Sequence, residues 1–94
     1  MPTLSQPRRK TRSRSAIKKI LADALRAKFP SDTVDISDGY QGNIHVLVVS
    51  RAFDRLSEQG KRNFLWRIID STDLTDDEKG LISLILPFSV AELK

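Results

Sequence analysis

The sequence predicts a small α+β domain in which a three-stranded mixed sheet carries two main helices on one face, in the chain order α-β-β-α-α-β. Its length of 94 residues is that of one domain. A β-branched run at residues 44–50 lies between two segments whose apolar residues recur with the helical period. A second apolar run, at residues 81–86, has the length of a strand and completes the sheet.

Residues 1–14 are predicted to form a disordered basic arm ahead of a single domain at residues 15–94. The arm has two prolines and no apolar periodicity, so no buried surface offsets the entropy of ordering it. It contains no acidic residue and five basic ones: Arg8, Arg9, Lys10, Arg12 and Arg14. Subtracting these five from the 16 basic residues leaves 11 against 12 acidic residues, so the basicity belongs to the arm. Its composition also allows an organelle transit peptide or a nuclear signal.

The chain has no cysteine, which excludes disulfides, thiolate metal sites and cysteine nucleophiles. No apolar run approaches the roughly 20 residues that span a bilayer. We therefore expect a soluble cytoplasmic protein without a membrane partner.

The first helix is predicted between a cap at Ser15 and a stop at Pro30. Its apolar residues recur at helical spacing and are Ile17, Ile20, Leu21, Ala24 and Leu25. The opposite face mixes both signs of charge, which favours a helix that lies on a sheet over one that lies on a membrane surface.

Two strands are predicted to follow as a hairpin. Residues 33–37 alternate, with Val34 and Ile36 facing inward. Residues 44–50 are apolar on both sides, which predicts the central strand of the sheet. The two sides are formed by Ile44, Val46 and Val48, and by Leu47 and Val49. Phe53, the large apolar residue in the following turn, is expected to close one end of the core.

The hairpin turn contains Gly39-Tyr40-Gln41-Gly42, which matches the GxxG pattern of KH domains, a loop between two helices that grips a nucleic-acid backbone. Here the motif joins two strands, so we interpret its glycines as turn residues. His45, the only histidine, is expected on the less covered face of the sheet, because one imidazole alone cannot hold a metal cluster or structural zinc.

The second helix is predicted from a cap at Ser57 to about Asp70. Its buried residues are expected to be Leu65, Ile68 and Ile69, with Phe64 beside them. Lys61 and Arg62 are expected on the exposed flank, and Arg62 lies one turn before Trp66, close enough for its cation to contact the indole. This flank is a candidate binding surface, and the alternative is that Trp66 is a core-edge residue covered by Arg62.

The last part of the chain carries strong local signals. Thr75 and Glu78 are spaced as a capping box, and Gly80 ends the short helix that they begin. Residues 81–86 are predicted to form a strand that Pro87 ends. Residues 89–92 (SVAE) are predicted to cap a final turn.

This order of elements, together with three motifs, resembles the BolA-like family, whose fold is related to the type II KH domain. Residues 48–57 (VVSRAFDRLS) are similar to the family segment V-V-S-x-x-F-x-G. Residues 61–63 (KRN) fall where many members have Arg-His-Arg, and Trp66 is at the aromatic position that follows. Residues 89–93 (SVAEL) are similar to the closing Thr-Pro-x-Glu-Trp. The resemblance covers about residues 15–94.

In that family a monothiol glutaredoxin partner can share a [2Fe–2S] cluster, through a histidine at the start of the last strand and a histidine or cysteine in the first hairpin loop. The strand position here is Leu81, the loop at residues 37–43 has neither residue, and Arg62 replaces the histidine of Arg-His-Arg. Leucine has no lone pair to give to iron. We therefore expect no metal site and no cofactor.

The resemblance and the segregated charge predict a non-catalytic regulatory or adaptor protein that binds nucleic acid. The expected contacts are Arg8, Arg9, Lys10, Arg12, Arg14, Arg51, Arg55, Lys61 and Arg62. The alternative is a module that binds a glutaredoxin-like protein without a shared cluster, through Lys61, Arg62 and Trp66. An enzyme is not expected, because Asp35 and Asp38 border a solvated turn with no base or nucleophile near them in sequence.

Overall fold

The structure is a computed structural model that describes residues 11–93. Within them the chain forms three helices and three strands. Their bounds are α1 Arg14–Lys28, β1 Thr33–Asp38, β2 Ile44–Ser50, α2 Glu58–Asp70, α3 Asp76–Lys79 and β3 Ile82–Ser89. Short 3₁₀ turns follow the three strands at Tyr40–Gly42, Arg51–Phe53 and Ala91–Leu93. The predicted α+β order is confirmed.

β2 is the middle strand of the sheet, as predicted, with β1 antiparallel on one side and β3 parallel on the other. Val46, for example, pairs with Ile36 of β1 and Ile85 of β3. Burial alternates along β2, where Ile44, Val46 and Val48 are buried and the residues between them are half-exposed. One face of the sheet is therefore covered, and both main helices pack on that face.

The core lies between the covered face of the sheet and the two main helices. α1 and α2 contribute fully buried side chains to it, which are Ile17, Leu21, Leu25, Leu65 and Ile69. At one end of this core, Phe29, Phe53 and Phe64 form a cluster with ring centroids 5.6 to 5.7 Å apart. Phe53 is fully buried there, which confirms its predicted position.

α1 begins earlier than the sequence predicted. Its cap is Ser13 rather than Ser15, and the Ser13 Oγ accepts a hydrogen bond from the Ala16 N–H at 3.1 Å. Residues 12–14 therefore belong to the folded domain and not to the arm. The other charged residues of the predicted arm, at positions 8–10, lie outside the described residues.

β3 continues through Pro87 to Ser89, so the prediction that Pro87 ends this strand is wrong. Proline cannot donate to a ladder and disrupts a central strand, but β3 is an edge strand whose outer side pairs with no other strand of residues 11–93. Pro87 pairs in register with Val48 and is buried. An edge position thus accommodates the proline that the sequence pattern treats as a stop.

The predicted caps are present at the other elements. At α2, the Ser57 Oγ accepts a hydrogen bond from the backbone of the third helical residue at 3.0 Å. Thr75 and Glu78 form both bonds of the capping box that begins α3. In the final turn the Ser89 Oγ accepts a hydrogen bond from the Glu92 N–H at 3.2 Å. These bonds satisfy backbone N–H groups that the first turn of a helix leaves without partners.

The turn between β1 and β2 uses the backbone freedom of glycine. Gln41 has a φ of 55° and Gly42 a φ of 85°, the left-handed region that favours glycine. A side chain at Gly39 would collide with the imidazole of His45, which packs closely over this residue. The motif is therefore a hairpin turn, as interpreted from the sequence, and His45 lies on the uncovered face of the sheet.

Candidate nucleic-acid interface

The basic side chains of residues 11–93 fall into two equal groups of six. One group is ion-paired with carboxylates within 4.0 Å and consists of Arg12, Arg14, Lys18, Lys19, Lys61 and Lys79. The other group has no such partner in this part of the chain and consists of Arg26, Lys28, Arg51, Arg55, Arg62 and Arg67. All six of the second group are exposed. We call this second group the unpaired cations.

The unpaired cations gather around one end of the core. Each lies within three residues of Phe29, Phe53 or Phe64, whose rings contact one another. The packing of these rings brings together the end of α1, the turn after β2 and the middle of α2. Two acids, Asp32 and Asp54, lie within the same sequence distance of a ring. Lys61 also lies within three residues of Phe64, but it is paired with Glu58 and Glu92. Without this neutralised group, cations outnumber acids six to two at what we call the cationic end of the domain.

Arg12 lies at the other end of the domain, where it is bonded to α3. Its Nε and Nη2 donate to the two carboxylate oxygens of Glu78 at 3.0 and 2.8 Å, and its backbone N–H donates to the same carboxylate at 2.7 Å. Its Nη1 also donates to Asp73 at 3.2 Å. Glu78 is buried, and these Arg12 bonds, with one from the Thr75 N–H, hold the pKa of its carboxyl well below its usual range. The charge of Arg12 is therefore paired within the domain, although its side chain is 35% exposed, and Arg12 is not a free contact for nucleic acid.

Arg14 and Lys18 of α1 share a carboxylate with β1. The Lys18 Nζ lies 2.9 Å and the Arg14 Nε 3.6 Å from an oxygen of Asp38. The hydrogen bond from Lys18, with the nearby charge of Arg14, lowers the pKa of the Asp38 carboxyl. Arg14 keeps part of its surface exposed, but its charge is already shared with Asp38.

Lys61 was predicted on the exposed flank of α2, and this prediction is wrong. Its side chain is only 5% exposed, and its Nζ donates to Glu92 at 2.6 Å and to Glu58 at 2.9 Å. These two carboxylates raise the pKa of the Lys61 ammonium. Its charge is neutralised between α2 and the final turn, so Lys61 supports the fold and has no free charge for a partner.

Arg51, Arg55 and Arg62 are exposed, as their predicted role requires. Arg62 lies on the same flank of α2 as Trp66, which is half-buried and packs against the core, the position expected of a core-edge residue. At 100° per residue, Arg62 and Arg67 are about 140° apart around the helix. They therefore lie on two different sides of α2.

Three members of the cationic end, Arg26, Lys28 and Arg67, were not singled out from the sequence. Lys28 and Arg67 line a groove of about 500 Å³ between α1 and α2. The Arg26 guanidinium lies beside β1 and donates to the Val34 carbonyl at 3.4 Å. The sequence shows each of them on a polar flank of a helix, but only the packing of the helices shows that they lie at one end of the domain.

The uncovered face of the sheet is the other unusual surface. Two neighbouring columns of mostly apolar side chains cross it, formed by His45, Leu47 and Val49 of β2 and by Leu84, Leu86 and Phe88 of β3. Leu84 is the most exposed of these apolar residues, at 39%. Among residues 11–93 no three His, Cys, Asp or Glu side chains are grouped so that they could hold a metal ion. No helix in that range has the length and hydropathy needed to cross a bilayer.

Comparisons with family models, with curated proteins and with solved structures found no match to this chain.

Proposed function

We propose that this protein is a cytoplasmic, non-catalytic regulatory or adaptor module of the BolA-like type, and that its cationic end binds the phosphate backbone of nucleic acid. The observation that carries the proposal is the division of the cations. Half of those in the described residues are neutralised within the domain, whereas the other half are exposed, unpaired and gathered around the phenylalanine cluster.

Contacts of this kind suit a phosphate backbone better than a single small anion. Successive phosphates of a nucleic-acid strand bind separate, exposed Arg and Lys side chains, and each contact releases condensed counterions. Arg51 and Arg55 on the turn after β2, and Arg62 on α2, supply such side chains without any carboxylate partner in residues 11–93. We keep Arg8, Arg9 and Lys10 as additional contacts from the arm. We leave out Arg12, Arg14 and Lys61, because their charges are shared with carboxylates of the domain.

The proposal is tested by titrating labelled duplex DNA and RNA with the protein at several salt concentrations. Replacing Arg51, Arg55 and Arg62 with glutamine removes three phosphate contacts, so the affinity at low salt should fall about tenfold or more. The plot of log affinity against log salt should also become less steep, its slope decreasing in magnitude by about 2 to 3. The control replaces Lys18, Lys19 and Lys79 with glutamine, which removes the same charge from the ion-paired group. Its slope should stay close to that of the wild type.

Equal losses in the two triple variants would mean that net charge alone attracts nucleic acid, and this result would overturn the assignment to the cationic end. Deletion of residues 1–10 separates the contribution of the arm, because it leaves Arg51, Arg55 and Arg62 in place. Binding that disappears entirely with the arm would equally contradict a site in the domain.

A second candidate function is binding to a glutaredoxin-like protein without a shared iron–sulfur cluster. The observation that favours it is the half-buried Trp66 with exposed Arg62 on the same flank of α2, an amphipathic pair of the kind enriched at protein interfaces. Amide chemical shifts recorded during titration with a monothiol glutaredoxin should then move around Arg62 and Trp66. Shifts confined to other surfaces would exclude this flank.

A further inference from the structure

The groove between α1 and α2 has an apolar floor and two cationic walls. Ala24, Phe64 and Ile68 form the floor, and Lys28, Arg67 and Ser71 complete the lining. The groove exists because Ala24 contributes only a methyl group where α1 faces α2. Its volume of about 500 Å³ lies within the range of about 300 to 1,000 Å³ that small-molecule sites occupy.

The charges around this groove are all of one sign. Lys28 lies on the α1 side and Arg67 on the α2 side, both are exposed, and neither has a carboxylate partner in residues 11–93. None of the described residues that line the groove is acidic. An occupant that carries one negative group and an apolar body would therefore meet complementary charge at the rim and apolar surface below it.

The size of the floor decides between a small molecule and a peptide helix. Phe64 and Ile68 are four residues apart, so the apolar floor on α2 spans one helical turn, about 6 Å. A partner helix docks through anchors at i, i+3 or i+4 and i+7, which extend over about 10 Å. Ser71, seven residues after Phe64, is the third lining position on α2 and it is polar, so the groove offers two apolar anchor positions on this helix instead of three. It therefore suits the anchors of a partner helix poorly, whereas a medium-length alkyl or aryl chain with one polar end matches it.

We propose that the groove between α1 and α2 binds a small amphiphilic organic anion, such as a medium-chain carboxylate. The carboxylate lies between the Lys28 ammonium and the Arg67 guanidinium, and the apolar chain covers Ala24, Phe64 and Ile68. Lys28 and Arg67 belong to the cationic end, but they are not among the side chains tested as phosphate contacts, which are Arg51, Arg55 and Arg62. Arg62 in particular lies on the opposite flank of α2.

The test uses octanoate, octanol and octyltrimethylammonium, each titrated below its micelle concentration into isotope-labelled protein and followed by NMR. Octanoate should move the amide signals of residues 24–28 and 64–71, octanol should bind there more weakly, and the octyltrimethylammonium cation should bind weakest. Replacing both Lys28 and Arg67 with glutamine should lower the affinity for octanoate by about tenfold, which is about threefold for each exposed charge. The affinity for octanol should not change. The matched control, R55Q with R62Q, removes the same charge from outside the groove and should change octanoate affinity by less than about twofold.

A second variant tests the apolar floor independently of charge. Ala24→Phe fills the groove from α1 and should abolish binding of both octanoate and octanol, provided that its thermal unfolding shows an intact fold. Equal affinity for octanoate and octanol in the wild type would overturn the proposal, as would octanoate shifts confined to the uncovered sheet face at residues 45–49 and 84–88. Binding of an acidic amphipathic peptide at the groove in the absence of octanoate binding would also overturn it, in favour of a protein partner.

Discussion

The buried charged side chains of this protein support its fold. Lys61 and Glu78 are almost completely buried, and a buried charge is tolerated only when several hydrogen bonds replace the water that it loses. Lys61 has two carboxylates for this purpose, and Glu78 receives bonds from Arg12 and from the backbone of Thr75. Removing one partner would leave the other charge buried and uncompensated, so these residues are sensitive positions for stability.

The ion pairs of Glu78 with Arg12 and of Glu92 with Lys61 predict that the stability of the fold depends on pH. Arg12 lowers the pKa of the Glu78 carboxyl, and Lys61 lowers the pKa of the Glu92 carboxyl to about 2. A carboxyl with a lowered pKa stabilises the fold above its unfolded-state pKa of about 4.3, and this contribution is lost as the pH falls toward the folded-state pKa. The Tm should therefore be steady above about pH 5 and decline between about pH 4.3 and 2.

Thermal unfolding of Arg12→Gln followed by circular dichroism measures the Glu78 part of this effect. The variant should melt several degrees below the wild type near neutral pH, and the difference should narrow as acid removes the contribution of Glu78 in both proteins. Lys19→Gln is the control, because Lys19 pairs with Asp23 on the exposed surface and such pairs contribute little. A Tm difference for Arg12→Gln that is the same at all pH values would contradict the coupling to Glu78.

At the scale of elements, short-range hydrogen bonds determine where the helices begin. Ser13, Ser57 and Thr75 each accept a bond from the backbone of the turn that follows. Two of these three caps could be read from the sequence, because serine or threonine directly precedes a helical pattern at Ser57 and Thr75. Ser15 offers the same local signal as Ser13, so the sequence pattern does not decide between them. In the structure Ser13 is the cap, and the preceding residue, Arg12, is bonded to Glu78 of α3.

The capping box of α3 gives a prediction at this scale. Thr75→Ala removes the acceptor for the Glu78 N–H and should lower the free energy of unfolding by about 1 kcal/mol, as measured by urea denaturation. Thr75→Ser retains the hydroxyl and should remain within about 0.5 kcal/mol of the wild type. Equal losses in the two variants would show that the methyl group of Thr75, rather than its hydrogen bond, supports α3.

Across the whole molecule, the fold sorts charges that are mixed along the sequence. α1 alone contains Arg14, Lys18 and Lys19, which are ion-paired, and Arg26 and Lys28, which have no carboxylate partner among residues 11–93. The first three lie in its first half, and the last two lie in its final turn beside the phenylalanine cluster. The net positive charge of the sequence belongs to the arm, but within residues 11–93 six cations without a carboxylate partner lie at one end of the domain.

The folded position of Arg12 predicts the effect of shortening the chain. Deleting residues 1–12 removes the guanidinium from Glu78 and Asp73, so the Tm should fall clearly below that of a protein that lacks only residues 1–10. Both truncations should be compared by thermal unfolding at neutral pH, where Glu78 is ionised. Identical Tm values would show that Arg12 does not contribute to the domain and would restore the boundary predicted from the sequence.

The candidate site was only partly predictable. Arg51, Arg55 and Arg62 were predicted as contacts because they flank a strongly patterned strand and helix, and the structure shows that they are exposed. Lys61 was misassigned because three of its neighbours in the sequence are polar, a pattern that usually marks a solvated helix flank. Its main partner, Glu92, belongs to a turn 31 residues away, and no local pattern reports that contact.

The sequence by itself determined the α+β class, the order of the elements, the central position of β2 and most of the caps, because these depend on periodicity and on hydrogen bonds between residues a few positions apart. Only the tertiary structure decided which cations of residues 11–93 have a carboxylate partner and which have none. The ion pair between Arg12 and Glu78 joins residues 66 positions apart, and the groove exists only where α1 packs beside α2. Coulombic attraction and burial depend on distance in space, and that distance is set by the packing of the whole core.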